Sequence, residues 1–561
     1  MTGQGGSVFP LRLRDFSPMR DGDHVAFDHW EDLFNLSLWS AATHLANPRL
    51  VLRGTGRVQL KLWRQGDEGD PSPVLDAEHD LPLILPLPEG TESGIFWPEI
   101  TARGSVSLDS VGWSADPPTR DIRIALVITT YRREAEVRTA VAKLLPSLQR
   151  DLPPGAAHFV VVDNGRSLTL PAAPELTRLD NPNLGGSGGF ACGLAFAQDG
   201  GFTHALFMDD DAATTPEALI RTHAFLSRAR DDRAAVLGAM LTDTEPSRVF
   251  EYGAAFDGLC RPLCHGLDPT SRTDALQMER DIHAPLPDTH YGGWWFFAFP
   301  LAPLRHWPFP FFVRGDDSGF SLSNPFTLWR IAGVASVQEG FDLKSSPLTR
   351  YLDFRYHLIH GLVFDSLGLS RFKGLSVALR LIVRNILTLH YDSAEAELLA
   401  WAEVLSGPET FATDPTAQKG RAAVAELLSN ERWTPTPMQP VSTLSLSDPH
   451  WRRKWIKLTL NGHLVPFWAT WMPDRVIDRS TRGDMRSYFF ARQVVVQDET
   501  RGTAMVLRHD KRRAFRIGLR AAGLSLRWLL GHSKLRKSFK TGYDEMTTRA
   551  FWDAQFIRED L

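Results

Sequence analysis

Thr203-His204-Ala205-Leu206-Phe207-Met208-Asp209-Asp210-Asp211-Ala212 is a short apolar run that ends on three carboxylates. Ala205 to Met208 is too short for a helix and suits a buried strand. In an open α/β sheet, ligands bind beyond the carboxyl ends of the strands. Three adjacent acids raise one another's pKa, and a divalent cation relieves that repulsion. In an extended chain Asp209 and Asp211 point to the same side, so Asp-x-Asp can share one hard cation with a substrate's phosphates. A solvated acidic turn is the competing reading, and the rest of the chain decides between them.

Upstream, Ile122 to Ile128 is apolar apart from Arg123 and runs into Thr129-Thr130-Tyr131-Arg132-Arg133. A helical stretch, Glu134 to Leu148, leads to a second strand, Phe159-Val160-Val161-Val162, that ends on Asp163-Asn164. Strand, helix, strand, helix, strand predicts a parallel sheet with covering helices. Thr129, Arg133, Asp163 and Asp209 then gather where the strands end. Between the second strand and the third lies Asn181-Pro182-Asn183-Leu184-Gly185-Gly186-Ser187-Gly188-Gly189-Phe190. Its glycines let backbone amides, with Asn183 and Gly185 at the start, close on a diphosphate at the mouth of a helix beginning near Phe190. No Gly-Lys-Ser/Thr follows, so this is not a Walker loop, and it does not follow directly on a strand as a dinucleotide fingerprint would. A flexible loop is the alternative.

Downstream, Tyr291-Gly292-Gly293-Trp294-Trp295 offers paired indoles as a wall for a sugar face. Core packing is the other reading, and it is preferred for Phe296, Phe297 and Phe299. Phe312-Val313-Arg314-Gly315-Asp316-Asp317-Ser318 repeats the opening theme of apolar residues running into acids. Two acidic sets far apart in sequence suit a division of labour: one holds a metal, the other moves a proton.

The chain has 561 residues, too many for one core. Residues 1–118 read as a β-sandwich or barrel of short strands, able to hold sugar or simply to brace its neighbour. Residues 119–345 read as an α/β core with a mostly parallel sheet, and residues 346–561 read as helical. His357 and His360 lack further metal ligands and read as structural, as do the thiols of Cys260 and Cys264. Three cysteines cannot frame a disulfide scaffold and fit a cytoplasmic setting. The N-terminus lacks a signal-peptide pattern. Leu375 to Leu389 is interrupted by Arg380, Arg384 and Asn385, and no run reaches a membrane span. A net charge of −4 gives no pull toward nucleic acid. Near the C-terminus, Arg513, Arg516, Arg520 and Arg527 fall on one helical face, with Phe515, Leu519, Ala522, Leu526 and Leu530 opposite. Such a helix suits an anionic membrane surface, or docks on its own protein with a solvated basic face.

Glycosyl transfer uses all these parts. Asp209 and Asp211 hold Mn²⁺ or Mg²⁺ on the diphosphate, Asp210, Thr129, Arg133 and Asp163 grip the nucleotide, and Asp317 takes the proton of an acceptor hydroxyl. Phosphoryl transfer through an aspartyl nucleophile, nucleotidyl transfer and a non-catalytic carbohydrate-binding protein are the other readings.

The segments Thr129–Glu134, Val161–Gly165, Asn181–Gly189, Phe207–Asp211, Trp294-Trp295 and Phe312–Asp317 occur in the order seen in bacterial galactofuranosyltransferases. The chain resembles that family of inverting family-two glycosyltransferases, notably those that polymerise mycobacterial galactan. The resemblance implies a GT-A-like, mostly parallel core between an N-terminal β domain and a C-terminal helical domain. It implies a UDP-galactofuranose donor, a metal on Asp209 and Asp211, Asp317 as base, and Asp316 with Trp294 or Trp295 near a glycan or glycolipid acceptor. It also implies peripheral attachment to the inner face of the membrane. Another donor, such as UDP-galactose or dTDP-rhamnose, and a homo-oligomer stay open. Two departures stand out. The family's metal-binding histidine is replaced in the stretch Val337-Gln338-Glu339-Gly340-Phe341, where Gln338 or Glu339 is the substitute on offer. The tryptophan before the second acid pair is replaced by Gly315.

Overall fold

The computed structural model describes residues 7–11, 18–280, 282, 284–341, 343–442 and 450–556. Most of the N-terminal stretch read as free of a targeting signal lies outside them. The first part of the chain is an antiparallel sheet built on two long strands, Arg49–Gln65 and Ile95–Ser114, which pair along their whole length. Register shifts between Arg53 and Gly54 and between Thr55 and Arg57 bend the pair. Short strands flank each half: Ser7–Leu11 and Leu83–Pro86 on one, Ser72–Asp80, His24–Ala26 and Phe34–Asn35 on the other. It is one continuous seven-stranded sheet, where the sequence suggested a sandwich or barrel.

This sheet braces the centre of the molecule. Arg221 lies over the Phe9 ring at 3.7 Å, and Trp30 Nε1 donates to Glu279 Oε1 at 2.7 Å. The apolar residues of both parts form one continuous core.

The central sheet has nine strands. Leu176–Asp180, Ala157–Asp163, Ile124–Thr130 and His204–Asp209 lie side by side and parallel. Phe297–Pro300 runs antiparallel between His204–Asp209 and Ala234–Thr242, and Thr327–Gln338 is parallel to the latter. Ile124–Ile128 and Phe159–Val162 are buried throughout, as central strands covered on both faces must be, and their β-branched residues suit that place. In register, Asp209 pairs with Thr129, and Thr130 with Asp163. The polar ends of three strands therefore come together by backbone pairing alone. Helices Glu134–Asp151, Gly185–Asp199 and Pro216–Leu226 cover the sheet.

Beyond Gln338 the chain turns mainly helical, from Pro347–Val363 onward, with Ser346 and Thr349 forming a capping box at its start. The region is not wholly helical as expected. Asp474–Asp478, Gln493–Asp498, Thr503–Arg508 and Thr434–Pro435 form a four-stranded sheet. The long helix Lys511–Met546 then crosses back toward the central domain. There Tyr543 donates its hydroxyl to Gly319 O at 3.2 Å, and Trp552 Nε1 donates to Pro308 O at 2.8 Å. Trp552 is fully buried, and a Cβ on Gly188 would stand 3.0 Å from its ring. Truncating an indole so placed costs about 3–5 kcal/mol.

Candidate active site

The acids at the end of His204–Asp209 differ in their surroundings. Asp210 accepts from Thr130 Oγ1 at 2.8 Å and from Arg133 Nη1 at 3.2 Å. Burial raises its pKa, and Arg133 opposes the rise. Asp211 Oδ2 lies 2.8 Å from Arg133 Nη1 and 2.7 Å from Lys344 Nζ. Burial works against its charge, but Lys344 and Arg133 outweigh it, and Asp211 stays below the ordinary carboxylate range. Asp209 has no such partner. Among the described residues no donor or cation touches its carboxylate. Burial first, then Asp211 and Asp210, pushes its pKa far up, and Asp317 adds to the push. The second acidic pair is thus close enough to act on the first.

That second pair opens the helix Asp316–Ser323, whose N-terminal dipole favours carboxylates in its first turn. Asp316 is buried and accepts from Ser187 Oγ at 3.0 Å. Asp317 is half-buried, accepts from Ser318 N at 2.7 Å, and feels the Arg314 guanidinium. Burial raises both carboxyls, and in Asp316 the neighbouring Asp317 adds to it. The approach is strained: Phe312 and Arg314 both have φ of 74° and Gly315 83°, all left-handed. Non-glycine residues in that region cost on the order of 1–3 kcal/mol each and cluster at functional sites. At Gly315 a Cβ would stand 2.2 Å from the Tyr356 Cβ, so Tyr356 fills the space beside the acid pair.

The glycine-rich segment is already helical from Gly185, not from Phe190. Its glycines serve close packing. A Cβ on Gly189 would meet Thr129 Oγ1 at 1.8 Å, one on Gly185 would meet Phe312 O at 2.1 Å, and Ser187 N donates to Phe312 O at 3.2 Å. The helix start therefore joins the strand end at Thr129 to the loop carrying Asp316. Asn164 completes the joint, donating to Thr129 Oγ1 and Gly185 O while accepting from Asn181 Nδ2. Asn183 Oδ1 accepts from Gly185 N at 3.3 Å. A cavity of about 370 Å³ opens beside Asp210 and Asp211, lined also by Glu136, Thr139, Lys143 and Thr214.

Several sequence assignments are revised by these contacts. Asp163 is buried and its oxygens accept from Gly165 N and Leu168 N at 2.9 and 2.7 Å, so it shapes its own turn and has no open face for a nucleotide. Trp294 is buried among Phe190, Phe207 and Phe320, and Trp295 donates to Gly238 O at 2.9 Å. Both indoles are core and cannot form an exposed wall for an acceptor. Gln338 is buried and donates to Met240 Sδ, and Glu339 pairs with Arg501 at 3.5 Å. The Gln338 side-chain oxygen stays buried and without a hydrogen-bond partner among the described residues. Arg513 is buried on Asp392 and Glu395, so it leaves the basic face to Arg516, Arg520 and Arg527. His360 is buried on Ser318, as the structural reading requires.

Lys344, Arg314, Asn164 and Ser187 were not singled out as site residues from sequence. Lys344 carries no local motif; Ser187 and Arg314 lay inside quoted segments, where their neighbours drew the chemical reading. Among the described residues, one group of three metal-capable side chains within reach of one another is found at His29, Glu31 and Asp32, in the N-terminal part. Arg221, pushed down to about 10 by burial, already faces the two carboxylates there. The set at the strand end is different in kind: Asp209, half-buried and without a direct partner among the described residues, beside Asp211, all hard oxygen. That fits a small divalent cation, which is commonly held by one or two carboxylates and completed by substrate phosphates.

The chain is similar in sequence to glycosyltransferases. In particular, it is 26% identical over 428 residues to galactofuranosyltransferase GlfT2 of Mycolicibacterium smegmatis, covering 69% of this chain and 65% of that protein. It is 26% identical over 427 residues to galactofuranosyltransferase GlfT2 of Mycobacterium tuberculosis, covering 69% and 66%. The chain thus matches just under two thirds of the length of these relatives. No family model matches it. Among solved structures, a mannosyltransferase of Pyrobaculum calidifontis in complex with GDP-Man and Mn²⁺ aligns at 14% identity and a TM-score of 0.30, over 55% of this chain and 86% of that one.

Proposed function

We propose that the chain is an inverting, metal-dependent glycosyltransferase that moves galactofuranose from UDP-galactofuranose to a hydroxyl of a growing, lipid-linked glycan. The observation that supports this is the approach of the two acidic sets across the glycine-rich helix, where Ser187 bonds Asp316 and Asp317 acts on Asp209. The sequence likeness to galactofuranosyltransferases supports the donor. In this reading residues 1–118 brace, 119–345 form a GT-A-like catalytic domain, and 346–561 close its far side.

Asp317 accepts the proton as the acceptor O–H bond breaks. The freed oxygen attacks the anomeric carbon from the face opposite UDP, the bond from that carbon to the diphosphate oxygen breaks, and the centre inverts. Burial raises the Asp317 carboxyl, the Arg314 charge opposes that rise, and Asp316, tied to Ser187, fixes the helix that carries it. Arg133 sits where a diphosphate would lie along Asp210 and Asp211, with Thr129, Asn183 and Gly185 forming the floor. Asp163 contributes by holding its turn. A Mn²⁺ or Mg²⁺ ion on Asp209 and Asp211 would supply positive charge to the departing diphosphate.

The same reading places the protein on the inner surface of a membrane. Among the described residues no helix is long and apolar enough to cross one. The long helix instead leaves Phe515, Leu519, Leu526 and Leu530 exposed, flanked by exposed Arg516, Arg520 and Arg527. Trp455, Leu458, Leu464, Phe467 and Trp471 are also exposed, and Lys511 Nζ bonds Val465 O, which joins that segment to the helix start. Apolar side chains with a basic border suit an anionic lipid surface. The reading is tested by a screen of nucleotide sugars with Mn²⁺ present, scoring release of the nucleotide. UDP-galactofuranose turned over well above UDP-galactose and dTDP-rhamnose supports it; preference for either of the others replaces the donor, and no turnover of any removes the function.

A further inference from the structure

We propose that Lys344 is a tethered counter-ion that competes with the divalent cation for Asp211, so that cation binding requires the lysine to leave that carboxylate. The inference rests on the assignment of Asp209 and Asp211 as the cation pair. Lys344 Nζ and Arg133 Nη1 share a single oxygen, Asp211 Oδ2. Arg133 has a second anchor on Asp210, whereas among the described residues Lys344 has no other carboxylate. A small hard cation held by Asp209 and Asp211 would lie about 2 Å from its oxygen ligands. An ammonium 2.7 Å from that same oxygen would face it at like-charge distance.

The lysine is positioned to move without disturbing the fold. Its backbone is gripped on both sides from the C-terminal part of the chain. Arg479 donates to Leu343 O, and Arg482 Nη1 donates to Ser345 O at 2.5 Å. Ser346 then caps the next helix. The fixed segment aims a flexible four-carbon arm at the acid cluster. When the arm leaves Asp211 it stays within its own length of the place where the diphosphate would lie. One residue would thus hold Asp211 while the site is empty and meet the phosphates once it is filled.

A competitor docked in roughly 90–99% of molecules weakens apparent cation affinity about ten- to a hundredfold. The test titrates Mn²⁺ alone, without nucleotide, into the full chain and follows free Mn²⁺ by its paramagnetic resonance signal. Lys344→Met should bind Mn²⁺ at least about tenfold more tightly than the natural protein, Lys344→Arg about equally, and Asp211→Asn should lose binding. Lys344→Gln serves if the methionine variant fails to give the natural melting curve. Binding seen only in Lys344→Met also supports the proposal. Unchanged or weaker affinity in both neutral variants overturns it, as does absence of Mn²⁺ binding in all of them. If the glycosyltransferase reading alone is wrong, no nucleotide sugar turns over while Mn²⁺ affinity still responds to Lys344.

Discussion

Ser187 Oγ lies 3.0 Å from Asp316 Oδ2, and this bond ties the glycine-rich helix to the second acidic pair. The two residues are far apart in sequence, yet the bond sets where the helix bearing Asp317 begins. Ser187→Ala removes a donor from a buried carboxyl, a loss of roughly 1–3 kcal/mol. Turnover should fall about five- to a hundredfold with little change in UDP affinity, measured by steady-state kinetics and calorimetry. Turnover within about twofold of the natural enzyme would separate this bond from catalysis.

Asp317→Ala should lower transfer by about 10²–10⁴. UDP binding should persist within about twofold, because the nucleotide-side contacts of Thr129 and Arg133 do not include Asp317. Direct titration with UDP checks the second half. Retained transfer refutes the proton-accepting role.

Burial raises the Asp317 carboxyl, so the rate should fall on acidification at a pH above the ordinary aspartate range, toward neutrality. Stability runs the opposite way. A buried acid with a raised pKa favours the fold below its unfolded value of about 4.3 and loses that advantage as pH climbs through its folded value. Glu251, pushed up to about 8 by burial and then Asp317, with Oε1 buried and unpartnered, should show this most clearly. The melting temperature of Glu251→Gln relative to the natural protein should rise between pH 5 and pH 8. A pH-independent difference would place the Glu251 carboxyl in an ordinary environment.

Replacing Phe515, Leu519, Leu526 and Leu530 with serine should reduce sedimentation with anionic vesicles about tenfold or more. Melting should be unaffected, since these side chains are exposed. Removing the chain from Lys511 onward is the poorer test, because it also takes Tyr543 and Trp552 out of the core. Full retention on vesicles by the serine variant would move the membrane contact elsewhere.

The strand ends were readable because a parallel sheet brings them together by pairing: Asp209 with Thr129, Thr130 with Asp163. The Asp triplet was readable for the same reason, whereas Asp316 and Asp317 follow a loop and open a helix. Burial of a particular side chain was not. Trp294 and Trp295 follow two glycines, a pattern equally suited to an open wall, and only the packing of Phe190, Phe207 and Phe320 makes them core. Lys344 was invisible because its partner comes from a distant strand. Asp163 misled because a carboxylate at a strand end can bind a ligand or its own turn, and the amides of Gly165 and Leu168 decide which. The run Val494-Val495-Val496 carried a legible strand signal that the surrounding helical pattern masked.

The docking of Trp552 and Tyr543 on the central part of the chain bears on how the protein is made. A ribosome releases the Asp triplet hundreds of residues before these two aromatics, yet the helices carrying Ser187 and Asp317 lack their final packing until both have emerged. A growing nascent chain therefore lacks the finished packing of both helices until the two aromatics have emerged.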